Sequence, residues 1–270
     1  MKRFAFIAAL VVAVISLVAG SAGAAGGTPV KASVVYNSTI PNGPRSNLPS
    51  VGPEAYAFNE FGNQITLAGT ARSLKSVTVT LSSWACVSGS WNTSDCSTPS
   101  GATFSQPITL NIYNASTDGG LTAGSLITTA TQTFSVPYRP SASPKCTALG
   151  FPGKWYSTGT KTCFNGLADD VTFNFSGLTL PDTVVYGIVY NTRDFGPSPR
   201  GVTGPYDSLN IALSADGDVS AGSSTSGTVW QNTANGSLYC DGGLAGTGSF
   251  RADFGCWAPY VPAVQFKAGS

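Results

Sequence analysis

Apolar and polar residues alternate with a period of two through much of this chain. Over residues 76–82, Val77, Val79 and Leu81 fall on one side and hydroxyl side chains on the other. Ile108, Leu110 and Ile112 alternate with Thr109, Asn111 and Tyr113, and Val171, Phe173 and Phe175 alternate with Thr172 and Asn174. Leu209, Ile211 and Leu213 repeat the pattern, and Val264 with Phe266 ends it. Neighbouring strand side chains point to opposite faces of a sheet, so each run predicts a strand with one buried face. Residues 184–190, VVYGIVY, are apolar on both sides, which predicts a central strand covered on both faces. Residues 64–68, 126–136, 228–230 and 250–254 add weaker candidates, for about ten strands in all.

Turn signals such as Asn42-Gly43, Asp118-Gly119, Asn165-Gly166, Asn235-Gly236 and Asp241-Gly242 separate these runs. Helices have little to build on. Glu54 and Glu60 are the only glutamates and Met1 the only methionine, against 32 glycines and 17 prolines. Without an amphipathic helix to cover a sheet, two sheets must cover each other. The expectation is an all-β fold: a single two-sheet antiparallel β-sandwich, jelly-roll-like, over residues 51–270. Residues 25–50, with Pro29, Pro41, Pro44 and Pro49, read as a loosely ordered lead-in carrying one short strand near residues 33–36. Residues 136–170 are too long for a plain connection and read as an excursion from one end of the sandwich, and residues 86–105 as a second one.

The first residues carry an export pattern. Lys2 and Arg3 precede an apolar run over residues 4–18, and Ala22-Gly23-Ala24 supplies the small-x-small site that signal peptidase cuts behind. The run is shorter than the roughly 20 residues of a spanning helix, so residues 1–24 are expected to be a cleaved signal peptide and the protein to be secreted, with no stable membrane insertion. Six cysteines follow: Cys86, Cys96, Cys146, Cys163, Cys240 and Cys256. An even number in an exported chain reads as a disulfide set. Pairing between sequence neighbours is favoured, since each pair would then close one polar loop. A metal site is disfavoured, because the C-x₂-C spacing is lacking and the chain has no histidine.

Charged residues make up only 10% of the chain, against about 25% in typical domains. Without Lys2 and Arg3, 12 basic side chains face 13 acidic ones, a formal net charge of −1. No Lys/Arg stripe exists, so nucleic acid and anionic membranes are expected to be poor partners. Serine, threonine, asparagine and glycine must carry solubility instead.

Residues 74–79 (LKSVTV) and 108–113 (ITLNIY), with Gly124-Ser125-Leu126 following, resemble the opening half of the jelly-roll domains of exported bacterial surface proteins called choice-of-anchor proteins. Residues 171–191, with a Phe-x-Phe strand, Leu180-Pro181 and Val185-Tyr186-Gly187, are similar to their second half. The resemblance spans about residues 64–191 and rests on strand patterning. It implies a cell-surface or extracellular role and brings no catalytic residues. Residues 264–270 (VQFKAGS) carry no sorting motif, apolar tail or basic stop, so the resemblance implies release or non-covalent retention.

The absence of histidine excludes Ser-His-Asp and Cys-His catalysis, and no G-x-S-x-G elbow or phosphate-binding glycine loop occurs. Carboxylate chemistry remains, with Glu54, Glu60, Asp169, Asp170 and Asp253 as candidates for the acid pair of a glycoside hydrolase. Two glutamates six residues apart on one continuous strand would lie about 20 Å apart, too far to cooperate. Asp216-Gly217-Asp218 has the oxygen density of a calcium loop, but it also fits an ordinary turn. No cofactor is expected. The positive binding signal is aromatic: Trp91 between Cys86 and Cys96, and Phe151, Trp155 and Tyr156 between Cys146 and Cys163. Rings in polar, disulfide-tied loops form either a stacking platform for a polysaccharide or cell-surface protein, or a plug closing one end of the sandwich. Trp84, Trp230 and Trp257 lie in or beside strands and are expected in the core. The leading reading is a secreted, non-enzymatic binding module. A structural envelope or matrix protein and a carboxylate-dependent glycoside hydrolase are its rivals.

Overall fold

The computed structural model describes residues 32–40, 48–116, 121–191 and 208–270. The signal-peptide assignment and the turns at Asn42-Gly43 and Asp118-Gly119 lie outside them. In chain order the first elements are β1 (Ser33–Asn37), β2 (Ser50–Val51), a one-turn helix α1 (Pro53–Tyr56), β3 (Phe58–Thr66) and β4 (Ser73–Ser83). There follow β5 (Thr103–Asn114), β6 (Leu126–Pro137), a second one-turn helix α2 (Pro144–Ala148), β7 (Trp155–Ser157), β8 (Thr162–Phe164), β9 (Leu167–Thr179) and β10 (Thr183–Val189). The last are β11 (Leu209–Ala215), β12 (Ser223–Ser224), β13 (Thr228–Thr233), β14 (Arg251–Phe254), β15 (Tyr260–Pro262) and β16 (Val264–Gly269).

Two seven-stranded sheets form the sandwich. In the first, β1, β16, β4, β11 and β15 lie side by side, β2 adds to β11, and β9 takes the free side of β4. The second runs β14, β13, β3, β10, β5, β6, with β12 added to β3. Strands β7 and β8 form a separate hairpin. The pairings among the described strands are antiparallel. The chain crosses between sheets repeatedly, from β3 to β4, β4 to β5, β6 to β9, β9 to β10 and β10 to β11. The all-β sandwich expected from the alternation is therefore the fold.

Period-two patterning explains the packing. Val77, Val79 and Leu81 from one sheet, and Ile108, Leu110, Ile112, Tyr186 and Ile188 from the other, are all fully buried in one core. Each such aliphatic or aromatic side chain contributes about 1.5–3 kcal/mol of hydrophobic stabilisation. Strand β10 lies between β3 and β5, and its outward residue Val185 is buried too, packed with Trp230 and Ala252 beneath Tyr113 and Phe250. That second cluster is why residues 184–190 are apolar on both faces.

The sandwich begins ahead of Val51. β1 pairs with β16 along four register positions, and Val35 and Tyr36 enter the core, so the proline-rich lead-in contributes an edge strand. The disulfides join Cys86 to Cys96, Cys146 to Cys163 and Cys240 to Cys256, with Cα–Cα distances of 5.5, 5.8 and 5.5 Å. These separations are ordinary for a disulfide. The first two close loops lying outside the two large sheets, and the third spans β14, an edge strand of the second sheet.

A candidate binding pocket at one end of the sandwich

Helix α1 begins the site. Pro53 presets the helical φ at the first position, and Ala57, in the left-handed region at φ 48°, ends the turn by donating its N–H to Pro53 O at 2.8 Å. The turn packs tightly against β11 because residue 52 is glycine. A Cβ there would stand 2.0 Å from Asn210 Oδ1 and 3.0 Å from Glu54 Oε2. Glu54 is buried, and its Oε1 accepts the Ser208 N–H at 2.6 Å. Burial first, and the charge of Glu54 second, push the Tyr190 phenol well above its ordinary pKa. It stays protonated and donates to Leu209 O at 3.0 Å.

Ser208 ties three elements together. Its carbonyl accepts the Trp84 N–H at 2.9 Å, and its hydroxyl accepts Trp91 Nε1–H at 3.2 Å. It holds φ at 62°, a conformation costing a non-glycine residue of the order of 1 kcal/mol, so its surroundings over-determine it. Trp84 and Trp91 meet edge to face, with ring centroids 4.8 Å apart and planes at 86°. Gly166 leaves room for Trp84: a Cβ at 166 would stand 2.5 Å from Trp84 Nε1 and 2.4 Å from Ser82 Oγ.

The opposite wall comes from the third disulfide loop. Trp257 tilts against Tyr56 at 5.8 Å and against Phe61 at 5.4 Å. Its Nε1–H donates to Asp253 Oδ2 at 2.7 Å. Asp253 is fully buried and also accepts Gln231 Nε2–H at 2.7 Å and the Cys240 N–H at 2.8 Å. Together these elements enclose a pocket of about 920 Å³, at the upper end of the usual range for small-ligand sites. Five rings line it: Tyr56, Trp84, Trp91, Trp257 and Tyr260. Between them stand Ser50, Glu54, Asn165, Ser208 and Asn210, and among the described lining residues Glu54 is the single ionisable side chain besides the tyrosines.

Of the four aromatic residues singled out in the sequence, Trp91 alone lines this pocket. Trp155 is buried, tilted on Phe164 at 5.4 Å and donating Nε1–H to Gly166 O at 3.0 Å, so it plugs its loop. Tyr156 is half-buried beneath Lys145, whose Nζ lies 3.8 Å from the ring centroid. Phe151 is exposed. The four rings therefore do not form one platform. Trp84, expected in the core, is half-buried in the pocket wall, and Trp257 has an edge in both. Trp230 is buried, in the small outer cluster rather than the main core.

The acid candidates are dispersed. Glu60 lies on the outer face of the second sheet, where its Oε1 accepts from Asn111 Nδ2–H and Tyr113 O–H, each at 2.9 Å. Burial raises its pKa above the usual carboxylate range, offset in part by these two bonds. It lies flat over Gly187, where a Cβ would stand 2.0 Å from Oε1. Asp170 accepts from Thr80 Oγ1 at 2.7 Å on the first sheet, and Asp169 pairs in register with Leu81. Asp253 holds Trp257 as described. Among the five, Glu54 alone lines the pocket. Residues 216–218 form one turn of 3₁₀ helix in which Asp216 accepts from Ser226. The one grouping of metal-ligand type among the described residues is Cys240, Asp253 and Cys256, whose sulfurs are joined in a disulfide. No helix among the described residues is long and apolar enough to cross a membrane.

Comparison with known proteins found no matching family model, no matching curated protein and no matching solved structure.

The pocket's make-up was only partly legible in the sequence. Tyr56, Trp257 and Tyr260 come from segments separated by some 200 residues, and only the sandwich topology brings them beside the Cys86–Cys96 loop.

Proposed function

We infer that this protein is a secreted, non-enzymatic binding module that takes a neutral glycan into the pocket between Trp91 and Trp257. The observation that carries the reading is the lining itself: five aromatic rings interleaved with serine, asparagine and a single carboxylate. Sugar rings present apolar C–H faces that stack on aromatic rings, and hydroxyls that need neutral donors and acceptors around the rim. The three disulfides agree with an oxidising, extracellular setting. The likeness of residues 64–191 to choice-of-anchor surface domains supports the same setting.

A glycan array with purified protein, followed by titration of any hit, tests the reading. Trp91→Ala removes one stacking face and is expected to weaken binding roughly 10- to 30-fold with an unchanged circular dichroism spectrum. Phe151→Ala, outside the pocket, is expected to bind as the wild type does. A uniformly blank array would transfer the weight to a structural envelope or matrix role, in which the rings only seal the end of the sandwich.

A further inference from the structure

The loop closed by Cys146 and Cys163 carries a surface that the pocket does not use. Residues 147–152, Thr-Ala-Leu-Gly-Phe-Pro, are all exposed, with Leu149 at 56% and Phe151 at 49% of full accessibility. Two large apolar side chains thus stand exposed at one tip. The charges carried by this segment of the chain have one sign. From Tyr138 to Ala168 the chain holds Arg139, Lys145, Lys154 and Lys161 and no aspartate or glutamate. Arg139 is buried, while Lys154 Nζ lies 4.8 Å from the Phe151 ring centroid, Lys145 Nζ lies 3.8 Å from that of Tyr156, and Lys161 is exposed in the turn between β7 and β8 of the same disulfide loop. The near-neutral charge of the whole chain hides this basic segment, because the acids are carried by other segments.

The tip is also held rigidly. Phe151 N–H donates to Cys146 O at 2.8 Å and Leu149 N–H to Lys145 O at 3.1 Å, while Arg139 Nη2–H reaches across to Gly153 O at 2.5 Å. A preformed loop loses little conformational entropy when it docks.

We propose that this loop is a peripheral docking surface for an anionic phospholipid membrane, with Leu149 and Phe151 entering the headgroup–acyl boundary and Lys145, Lys154 and Lys161 meeting lipid phosphates. Apolar tips accompanied by cations fit a charged interface with an apolar interior, and a soluble acidic polymer offers no such interior. This is adsorption to one leaflet, not insertion of a spanning segment.

The test is co-sedimentation of the purified protein with vesicles of equal parts phosphatidylglycerol and phosphatidylcholine, and with vesicles of phosphatidylcholine alone, at low salt. Binding is expected to the anionic vesicles only. Each Lys→Gln change should weaken it roughly fivefold, and the triple variant roughly a hundredfold. Leu149→Ser with Phe151→Ser should abolish the part of binding that survives added salt. Trp91→Ala should bind vesicles as the wild type does, which separates this surface from the pocket. Circular dichroism checks that each variant is folded. Absence of wild-type binding, equal binding to neutral vesicles, or folded variants that bind undiminished would each overturn the proposal. Binding to a soluble acidic polysaccharide without vesicle binding would overturn it as well, by assigning the loop a different partner.

Discussion

Asp253→Asn changes the shape of the molecule scarcely at all and should nonetheless destabilise it markedly. The carboxylate is fully buried and receives three N–H groups: Gln231 Nε2 and Trp257 Nε1 on Oδ2, and the backbone of Cys240 on Oδ1. An asparagine has one acceptor oxygen and one NH₂ group. With its oxygen in the Oδ2 position, it keeps Gln231 and Trp257 but points N–H at the Cys240 N–H. With the amide reversed, it keeps Cys240 and faces two donors. Rotating Gln231 does not rescue the second arrangement, because Gln231 Nε2 also donates to Leu238 O at 3.1 Å and Trp257 Nε1–H still has no acceptor. Either way at least one charge-assisted bond is lost and two buried donors oppose each other. That costs about 2–4 kcal/mol. For a domain of this size the corresponding fall in Tm is roughly 5–15 °C. The assay is thermal unfolding followed by far- and near-ultraviolet circular dichroism. Trp257 is one of five tryptophans, so the change in its tether to Asp253 is read as the difference in tryptophan emission between Asp253→Asn with Trp257 present and the same variant carrying Trp257→Phe. A variant within about 0.5 kcal/mol of the wild type would show that these three bonds do not carry the loop, and the account of how Trp257 is held would fall with them.

The raised pKa of Glu60 makes a second, pH-dependent prediction. A carboxyl group whose pKa is higher folded than unfolded adds stability below its unfolded pKa, and that stability is lost as pH rises through the folded value. Urea midpoints measured from about pH 4 to pH 8 should therefore fall less in Glu60→Gln than in the wild type. A parallel fall in both would refute the assignment. Gly166→Ala puts a methyl group into Trp84 and Ser82 and should cost about 1–3 kcal/mol, with Trp84 emission red-shifted as the indole is displaced. Mild reduction should open the loops closed by the three disulfides, changing near-ultraviolet dichroism, while β-sheet ellipticity persists at room temperature; simultaneous loss of both would refute it. Burial pushes the Arg139 guanidinium down to about pKa 10 without discharging it at neutral pH, and it bonds the carbonyls of Pro140 and Gly153. Arg139→Met should leave the sheets intact and raise the proteolytic sensitivity of residues 144–161, read by limited digestion and mass spectrometry.

The fold was legible because a strand announces itself locally. Val77, Val79 and Leu81 need only their own alternation to declare a buried face, and Val185 needs only its apolar neighbours to declare a covered one. Extents were less legible. β4 and β9 run on through Ser73 and Thr179, where a register shift between Leu74 and Ser76 breaks the alternation while the backbone pairing continues. β1 was expected as a short strand near residues 33–36, but the prolines around it masked its place in the sandwich, where Val35 and Tyr36 are core residues. The disulfide pairs followed sequence proximity, the first two closing excursions between strands and the third bracketing the edge strand β14. The site was harder. Trp91 was found because it lies between two cysteines, but nothing local distinguishes its role from that of Trp155. What separates them is tertiary placement: Trp155 is buried against Phe164 with its N–H on Gly166 O, whereas Trp91 stands half-buried, edge to face on Trp84 with its N–H on Ser208, and such long-range neighbours are not written in the local sequence.

Glu60 and Gly187 place a constraint on how this sequence can change over time. The Glu60 carboxyl group occupies the space that a methyl group on residue 187 would need, and the backbone of residue 187 faces Gly62 on β3 and Asn111 on β5. The two positions therefore share one volume on the outer face of the sheet. An alanine arriving first at 187 meets a 2.0 Å clash with the Glu60 carboxyl group, whereas the same alanine arriving after residue 60 has become alanine no longer meets the Glu60 Cγ, Cδ and Oε1 atoms that crowd it. The order of substitution matters, and the two effects should not add. Divergent copies of this chain are expected to carry either a long side chain at 60 with glycine at 187, or a short one at 60 with freedom at 187. The remaining combination is closed to gradual change.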